Sequence, residues 1–400
     1  MNILLISSYL PYPLFSGGHI RLYNLIKELS RKHKITLICE KRDYQGAVEI
    51  NELKKFCKKI ITVPRKKQWS LRNIVKTGLS FSSFLITGHT NKEMKKEIQR
   101  ELAESQFDLI HVETSYIMQN ISSIDIPLVL VEHNVEYLVY KRFADNSPLP
   151  LRPLLYLDVL KLKYWEEKMW RKVTKLVAVS ERDKKVMSVV RKDVVIVANG
   201  VDVNKFKLKS EIRNPKSEIR ILFIGEFKWM QNVDAIHFIL KEIWPKLRSE
   251  FIPPMNGKGI KLWVVGRNIP DFVKKLTSDK SVVFDENAPK ETELIYQKSH
   301  LLLAPIRVGG GTSFKILEAM ASGLPVVTTS LGNAINAQDN GEIIIAKTSD
   351  DFVKNIKKLL EDKKFYNSIS ENAKKLVEEK YNWQKISQDL SEVYESVVKY

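Results

Sequence analysis

A chain of 400 residues with 44% hydrophobic side chains is too long for one compact core and points to two domains of roughly 200 residues each. Its two cysteines, Cys39 and Cys57, exclude a disulfide framework and a cysteine-based metal site, and they suit a reducing compartment. The net charge of +18 favours a polyanionic partner (a membrane surface, a nucleic acid or a phosphorylated substrate), unless it is spread over solvated faces such as 92–100, 354–364 and 374–380.

The opening Met1-Asn2-Ile3-Leu4-Leu5-Ile6 has no basic region before its apolar run, so it reads as a first buried strand and not a secretory signal. Apolar runs predict further buried parallel strands at 35–39, 60–63, 108–112, 127–131, 175–179 and 194–197. Helical patterns separate them, notably 18–32, 92–105 and 153–173. Residues 64–91 interleave Arg65, Lys66, Lys67, Arg72 and Lys76 with Trp69, Leu71, Ile74, Val75, Leu79 and Phe81. Such a segment either lies on an anionic membrane surface or packs its apolar side on the first domain. The stretch 203–217 is polar, lacks clear periodicity and contains Pro215, as a linker would. Strands then resume near 219–224, 260–265, 281–284, 300–304, 325–328 and 342–346. Helices are expected near 233–248, 270–277, 290–298, 313–322, 350–362, 364–379 and 383–398. This alternation predicts an α/β chain with two doubly wound, Rossmann-like domains. No apolar stretch reaches the roughly 20 residues that span a bilayer.

The most informative run is 300–327. A short apolar strand meets Gly309-Gly310-Gly311, a helix follows with Glu318 inside it, and Gly323 stops that helix before another strand. Glycines at a strand-to-helix turn let N–H groups approach an anion, and the helix dipole favours negative charge there. A phosphate site with a carboxylate about 10 Å further along the helix can hold a nucleoside diphosphate. Gly17-Gly18 after the first strand is a second glycine turn at a helix N-terminus. It lacks the three spaced glycines of the dinucleotide fingerprint, and alone it could serve only a tight turn. No Asp-x-Asp triplet occurs, so no divalent metal held by one is expected.

In order along nearly the whole chain stand Gly17-Gly18, Glu132-His133-Asn134, Val179-Ser180-Glu181, Asn199-Gly200-Val201-Asp202, Phe223-Ile224-Gly225, Val264-Val265-Gly266-Arg267 and the 304–327 run. Their order and spacing resemble the retaining glycosyltransferases of family 4, the group 1 transferases. The resemblance implies the GT-B fold, two Rossmann-like domains facing across a cleft. The expected domains are 1–205 and 218–380, with 381–400 crossing back to the first. It also implies that the donor nucleotide sits on the second domain. Glu318 then accepts the ribose hydroxyls, and Gly310, Gly311 and Thr312 face the diphosphate and sugar. Gly225 and Arg267 lie in matched turns on the same donor side. Gly17 and Gly18 approach the donor phosphate and acceptor, and His133 lies near the transferred sugar.

The sequence departs from the family pattern at three positions. Gly310 stands where a sugar-contacting Glu is usual, and Glu226 and Gln231 fall, by counting, where an Arg and a Lys usually hold the diphosphate. This resembles a glycine-rich-loop subgroup. Lys315 becomes the first candidate for the missing positive charge, followed by Arg307 and Lys228. His133 and Lys315 are the expected catalytic pair. The implied reaction moves a hexosyl-type group from a nucleotide diphosphate sugar to a hydroxyl of a glycan or lipid-linked acceptor, with retention and without a metal or other cofactor. Polysaccharide biosynthesis and a cytoplasmic location, peripheral at the inner face of the membrane, go with it. The alternatives are a sugar-nucleotide epimerase of the same fold and a catalytically altered sugar-nucleotide-binding protein. Nucleic-acid binding is not expected, because no stacking platform or recognition helix is visible.

Overall fold

Parallel pairing organises each half of the chain. The computed structural model describes residues 1–122, 125–207, 218–251, 259–289, 291–308 and 313–398. Among the described residues the first sheet holds β1 (Asn2–Ser7), β2 (Lys34–Lys41), β3 (Lys59–Pro64), β4 (Leu109–Glu113), β5 (Leu128–Glu132), β6 (Lys175–Ala178) and β7 (Val195–Ile196), in the spatial order β3-β2-β1-β4-β5-β6-β7. The second holds β8 (Glu218–Ile224), β9 (Gly259–Val265), β10 (Val282–Asp285), β11 (Leu301–Ala304), β12 (Val326–Thr328) and β13 (Ile344–Ile345), in the order β10-β9-β8-β11-β12-β13. All of these pairings are parallel. The strands fall where the apolar runs place them, and the α/β architecture of two Rossmann-like sheets is the observed one.

The strands are apolar on both faces because helices cover both. Leu4, Ile6, Ile110, Val112, Leu130 and Leu176 are buried in the first sheet, and Ile221, Leu262, Leu301 and Leu303 in the second. Each such side chain contributes roughly 1.5–3 kcal/mol of burial free energy. The strand order reverses between β1 and β4 in one sheet and between β8 and β11 in the other. Helices on either side of such a switch leave a crevice beyond the carboxyl ends of those strands.

Two compact units result, Met1–Ala198 with Ile386–Tyr400, and Asn199–Lys385. The change of unit at Ala198 comes before the polar stretch expected to link the domains. Asp202 caps a short helix, Val203–Phe206, and Phe206 is buried within the second unit with its ring 5.7 Å from that of Tyr296. One apolar anchor thus draws the start of a polar segment into a core. Residues 208–217 lie outside the described residues. The single helix expected over 233–248 is interrupted: Met230–Phe238 runs into a wider π turn at Ile239–Ile243 before Trp244–Glu250. Pro245 has no N–H for the carbonyl one turn back, and its ring displaces that carbonyl.

The final helix, Trp383–Val398, starts in the second unit and continues into the first from Ile386. It buries Ile386, Leu390, Tyr394 and Val397, spaced as one helical face. The Tyr394 hydroxyl meets His111 Nδ1 on β4, and Ser391 Oγ lies 2.8 Å from His33 Nε2. Among the described residues no helix is long and apolar enough to cross a membrane.

Replacing Tyr394 by Phe strands His111 Nδ1 in a buried site. We expect a loss of about 1–3 kcal/mol in denaturant unfolding. Wild-type stability would mean that the hydroxyl contributes nothing to the attachment of this helix.

Candidate functional site

The first unit gathers its chemistry at the ends of β1, β4 and β5. Register places Ser7 beside Glu113, and Glu113 beside Val131, so Glu113 and the residue after Glu132 emerge at the same edge. Glu113 is fully buried. One of its oxygens is 2.8 Å from His111 Nε2, and the other meets His133 Nε2. Burial alone would raise this carboxyl, but the two imidazoles outweigh it and hold Glu113 well below the usual carboxylate range. An ionised carboxylate only accepts, so both Nε2 atoms donate. In their neutral tautomers His111 Nδ1 accepts from Tyr394 and His133 Nδ1 is an acceptor on its outer side.

That outer side looks onto the glycine turn. Gly17 and Gly18 open the helix Gly17–Leu29, with Ser16 as N-cap accepting from His19 N at 3.5 Å. A Cβ at Gly18 would stand 3.0 Å from the Tyr9 hydroxyl and 3.5 Å from His133 Nδ1. Glycine therefore keeps open the space that His133 faces, while the helix N-terminus supplies N–H groups there. Glu132, the neighbour of His133, points the other way. It accepts from Trp170 Nε1 at 2.9 Å and Ser115 N at 3.2 Å, and burial pushes its carboxyl up to about 7. Glu166 caps the helix Glu136–Asp145, accepting from Glu136 N at 2.9 Å and Tyr137 N at 2.7 Å. These two carboxylates brace the backbone around His133.

The second unit gathers its chemistry at β8, β9 and β11. The helix Phe314–Ala321 follows the glycine run. It ends through Gly323, whose φ of 59° suits a residue without Cβ, with Leu324 N bonded to Ala319 O and Gly323 N to Met320 O. Lys315 and Glu318 are three residues apart and share one side of this helix. The Tyr296 hydroxyl donates to Glu318 Oε2 at 2.7 Å, and burial raises the Glu318 carboxyl to about 7. Lys315 Nζ donates to Asn232 Oδ1 at 2.7 Å and lies 5.0 Å from the centre of the Phe223 ring. Burial lowers the Lys315 ammonium to about 8, with Glu318 acting against that shift.

Asn232 is itself fixed, its Nδ2 donating to Glu226 O at 2.8 Å. Gly225 makes room for it, since a Cβ there would fall 2.7 Å from the Asn232 amide. Gly225 N also bonds Val265 O, and a Cβ on Gly266 would overlap Gly225 O, so the β8 and β9 turns lie against each other. Lys228 and Arg267 are exposed on these two turns. Arg307 is committed elsewhere. Its guanidinium grips Asp234 at 3.1 and 2.8 Å and stacks 4.2 Å from the centre of the Phe238 ring. Among the cations proposed to compensate a diphosphate, Lys315 is thus the one joined to the Glu318 helix, and Arg307 already has a carboxylate partner. Gly310, Gly311 and Thr312 lie outside the described residues.

Counting residues set Gln231 in the place of a basic side chain, whereas the structure brings its neighbour Asn232 to Lys315. Glu113 and Tyr296 belong to no motif of the sequence, and Asn232 stands there only as the last residue of the Gly225–Asn232 stretch. The only available signals were that Glu113 closes a strand ahead of the Glu132-His133-Asn134 strand, and that Asn232 opens a helix after a glycine turn.

Residues 15–205 match the Glycosyltransferase Family 4 domain, and residues 218–362 match the Glycosyl transferases group 1 domain. The chain is built from two glycosyltransferase domains. A Klebsiella pneumoniae protein, the uncharacterized 44.6 kDa protein in the cps region, is 24% identical to it over 375 residues, covering 89% of this chain and 90% of that one. Anabaena HepE, crystallised in complex with UDP and glucose, has a similar fold with a TM-score of 0.66 and 16% identity over 99% of this chain and 100% of its own. Sucrose-phosphate synthase from Thermosynechococcus elongatus has a TM-score of 0.71 at 15% identity, covering 99% of each chain. WaaG, a glycosyltransferase involved in lipopolysaccharide biosynthesis, has a TM-score of 0.66 at 15% identity, covering 98% of this chain and 99% of its own. The glycosyltransferase thus has the GT-B architecture.

Glu318, with its raised pKa, costs the folded state nothing below the ordinary carboxylate pKa and most above about 7. Glu318→Gln keeps an acceptor for Tyr296 but cannot ionise. We expect it to raise the melting temperature of the unliganded protein by a few degrees near pH 8 and to leave it unchanged near pH 4. Equal effects at both pH values would remove the electrostatic explanation.

Proposed function

We propose that this glycosyltransferase moves a sugar from a nucleotide diphosphate sugar to a hydroxyl of a glycan or lipid-linked acceptor, with retention at the anomeric carbon. The observation that carries the donor assignment is the Lys315–Glu318 pair on the helix after the glycine run. A carboxylate held by Tyr296 suits the two adjacent hydroxyls of a ribose. An ammonium one turn nearer the helix start suits a diphosphate, and both sit beyond a strand switch where such ligands bind. Lys315 has a short, single tie to Asn232, so a phosphate oxygen can take that place as a stronger, charge-assisted partner.

A double displacement through Glu113 or Glu318 has no support in their surroundings. Glu113 has both oxygens occupied by imidazoles, and Glu318 is tied to Tyr296, so neither is placed as a free nucleophile. In this reading the departing phosphate takes the proton of the incoming hydroxyl on the same face of the sugar. The bond from the anomeric carbon to the diphosphate oxygen breaks as the bond to the acceptor oxygen forms. The protein contributes positioning and stabilisation of the developing diphosphate charge by Lys315 and helix N-termini. His133 Nδ1 accepts a hydrogen bond from a sugar or acceptor hydroxyl. The reading needs no divalent metal. It places a polysaccharide or lipid-linked acceptor at the inner face of an anionic membrane, supported by the net charge of +18.

The reading is tested by calorimetry with UDP, GDP and ADP sugars. Ionised Glu318 and protonated Lys315 coexist best between about pH 7 and 8, so affinity should peak there and fall on both sides. Glu318→Ala should weaken the bound donor at least about tenfold with the fold intact, and Lys315→Met should remove the alkaline limb. Binding that ignores both variants would overturn the donor site. Transfer that persists in a chelator, with the product's anomeric configuration unchanged by NMR, tests the absence of a metal and the retention. His133→Ala should keep donor affinity and lower turnover about a hundredfold; unchanged turnover would return His133 to a purely structural role.

A further inference from the structure

The helix Leu71–Gly78 buries none of its residues. Its apolar positions Leu71, Ile74 and Val75, with Leu79 just beyond, follow one helical face, and all are exposed. Leu79 is 85% exposed and Phe81 is 97% exposed. Of the two alternatives raised by the sequence for residues 64–91, packing on the first unit holds for the end of the segment, where Leu85 and Ile86 are buried against Leu162, while the apolar side of residues 71–81 is left uncovered.

A second helix in the same unit shows a related anomaly. Arg152–Lys172 turns Val159, Leu162, Met169 and Trp170 inward. Leu154, Leu157, Leu160 and Tyr164 form an exposed stripe on its other side. A helix apolar on two sides is normally buried on both. Lys161, within the exposed stripe, donates to the Thr77 and Ser80 carbonyls at 2.7 Å each. Asp158 accepts from Phe84 N at 2.8 Å. These bonds set the two exposed stripes side by side.

The charge beside the first stripe has one sign. Residues 65–81 carry five basic side chains and no acidic one. Arg72 and Lys76 lie one turn apart along the edge of the Leu71–Gly78 apolar face. Buried protein interfaces are depleted in lysine, whereas an apolar face edged by bases matches an anionic lipid surface. We propose that this face docks the first unit on an anionic bilayer. Its leucines and aromatics enter the boundary between headgroups and acyl chains, and its bases meet lipid phosphates. This names the surface behind the membrane part of the proposed function and does not depend on the transfer chemistry.

Flotation of the full chain with vesicles tests it. We expect the protein to float with phosphatidylcholine–phosphatidylglycerol vesicles at low salt, less at high salt, and not with phosphatidylcholine alone. The double variants Leu79→Ser/Phe81→Ser, Leu157→Ser/Leu160→Ser and Arg72→Glu/Lys76→Glu should each cut partitioning about tenfold or more, with unchanged melting temperatures. The proposal is overturned by absence of flotation with anionic vesicles at low salt, or by variants that float like wild type. A dimer that the apolar variants dissolve, without flotation, would also overturn it and assign the face to a second copy of the chain. Nucleotide-sugar binding measured on the same samples separates failure of this surface from failure of the donor site.

Discussion

Parallel strand pairing is the constraint on which the chemistry of each unit depends. Each parallel strand must be reached by a crossover from the far end of the one before, so all the strand-to-helix turns of a sheet emerge along one edge. Where the strand order reverses, two neighbouring turns diverge and leave room between them. Gly17-Gly18 and His133 follow β1 and β5, on either side of β4 and its Glu113. Gly225 and the Lys315–Glu318 helix follow β8 and β11, which are hydrogen-bonded neighbours. The chemistry stands where the backbone leaves space for it, and glycines widen that space.

Within this frame the two units treat their carboxylates in opposite ways. Glu113 is buried between two imidazoles, which outweigh the cost of burial and keep it charged. That charge fixes the tautomer and direction of the His133 ring. Glu318 is buried with a tyrosine hydroxyl as its near partner, and burial wins, leaving it poised near neutrality. A group that is costly to ionise without a ligand has the most to gain from a ligand that brings hydrogen-bond donors. One carboxylate serves to orient and the other to bind.

Apolar surface also divides by role. Most leucines and isoleucines of both sheets are fully buried, as a stable core requires. Those of Leu71–Gly78 and the outer stripe of Arg152–Lys172 are left outside, beside bases. The same side chains that hold the fold together elsewhere are free here for an external surface.

Much of this was legible in residue order. Runs of branched apolar residues separated by helical periods announce parallel strands, because a strand covered on both faces has no polar side to show. Gly323 announced the end of its helix, because only glycine relaxes readily into that backbone. Composition was a poorer guide between the units: Phe206 pulls the start of a polar stretch into a core, and Pro245 breaks a helix that periodicity draws as continuous. The sequence by itself determined the strands, the glycine turns and the placing of Glu318, Lys315 and His133 beside them, since these follow from local pattern and spacing. Only the tertiary structure decided that Glu113 orients His133, that Asn232 and Tyr296 hold Lys315 and Glu318, and that Asp234 occupies Arg307. Partners separated by 20 to 83 positions in the chain meet only when the sheet brings its strand ends together, and no local pattern carries that information.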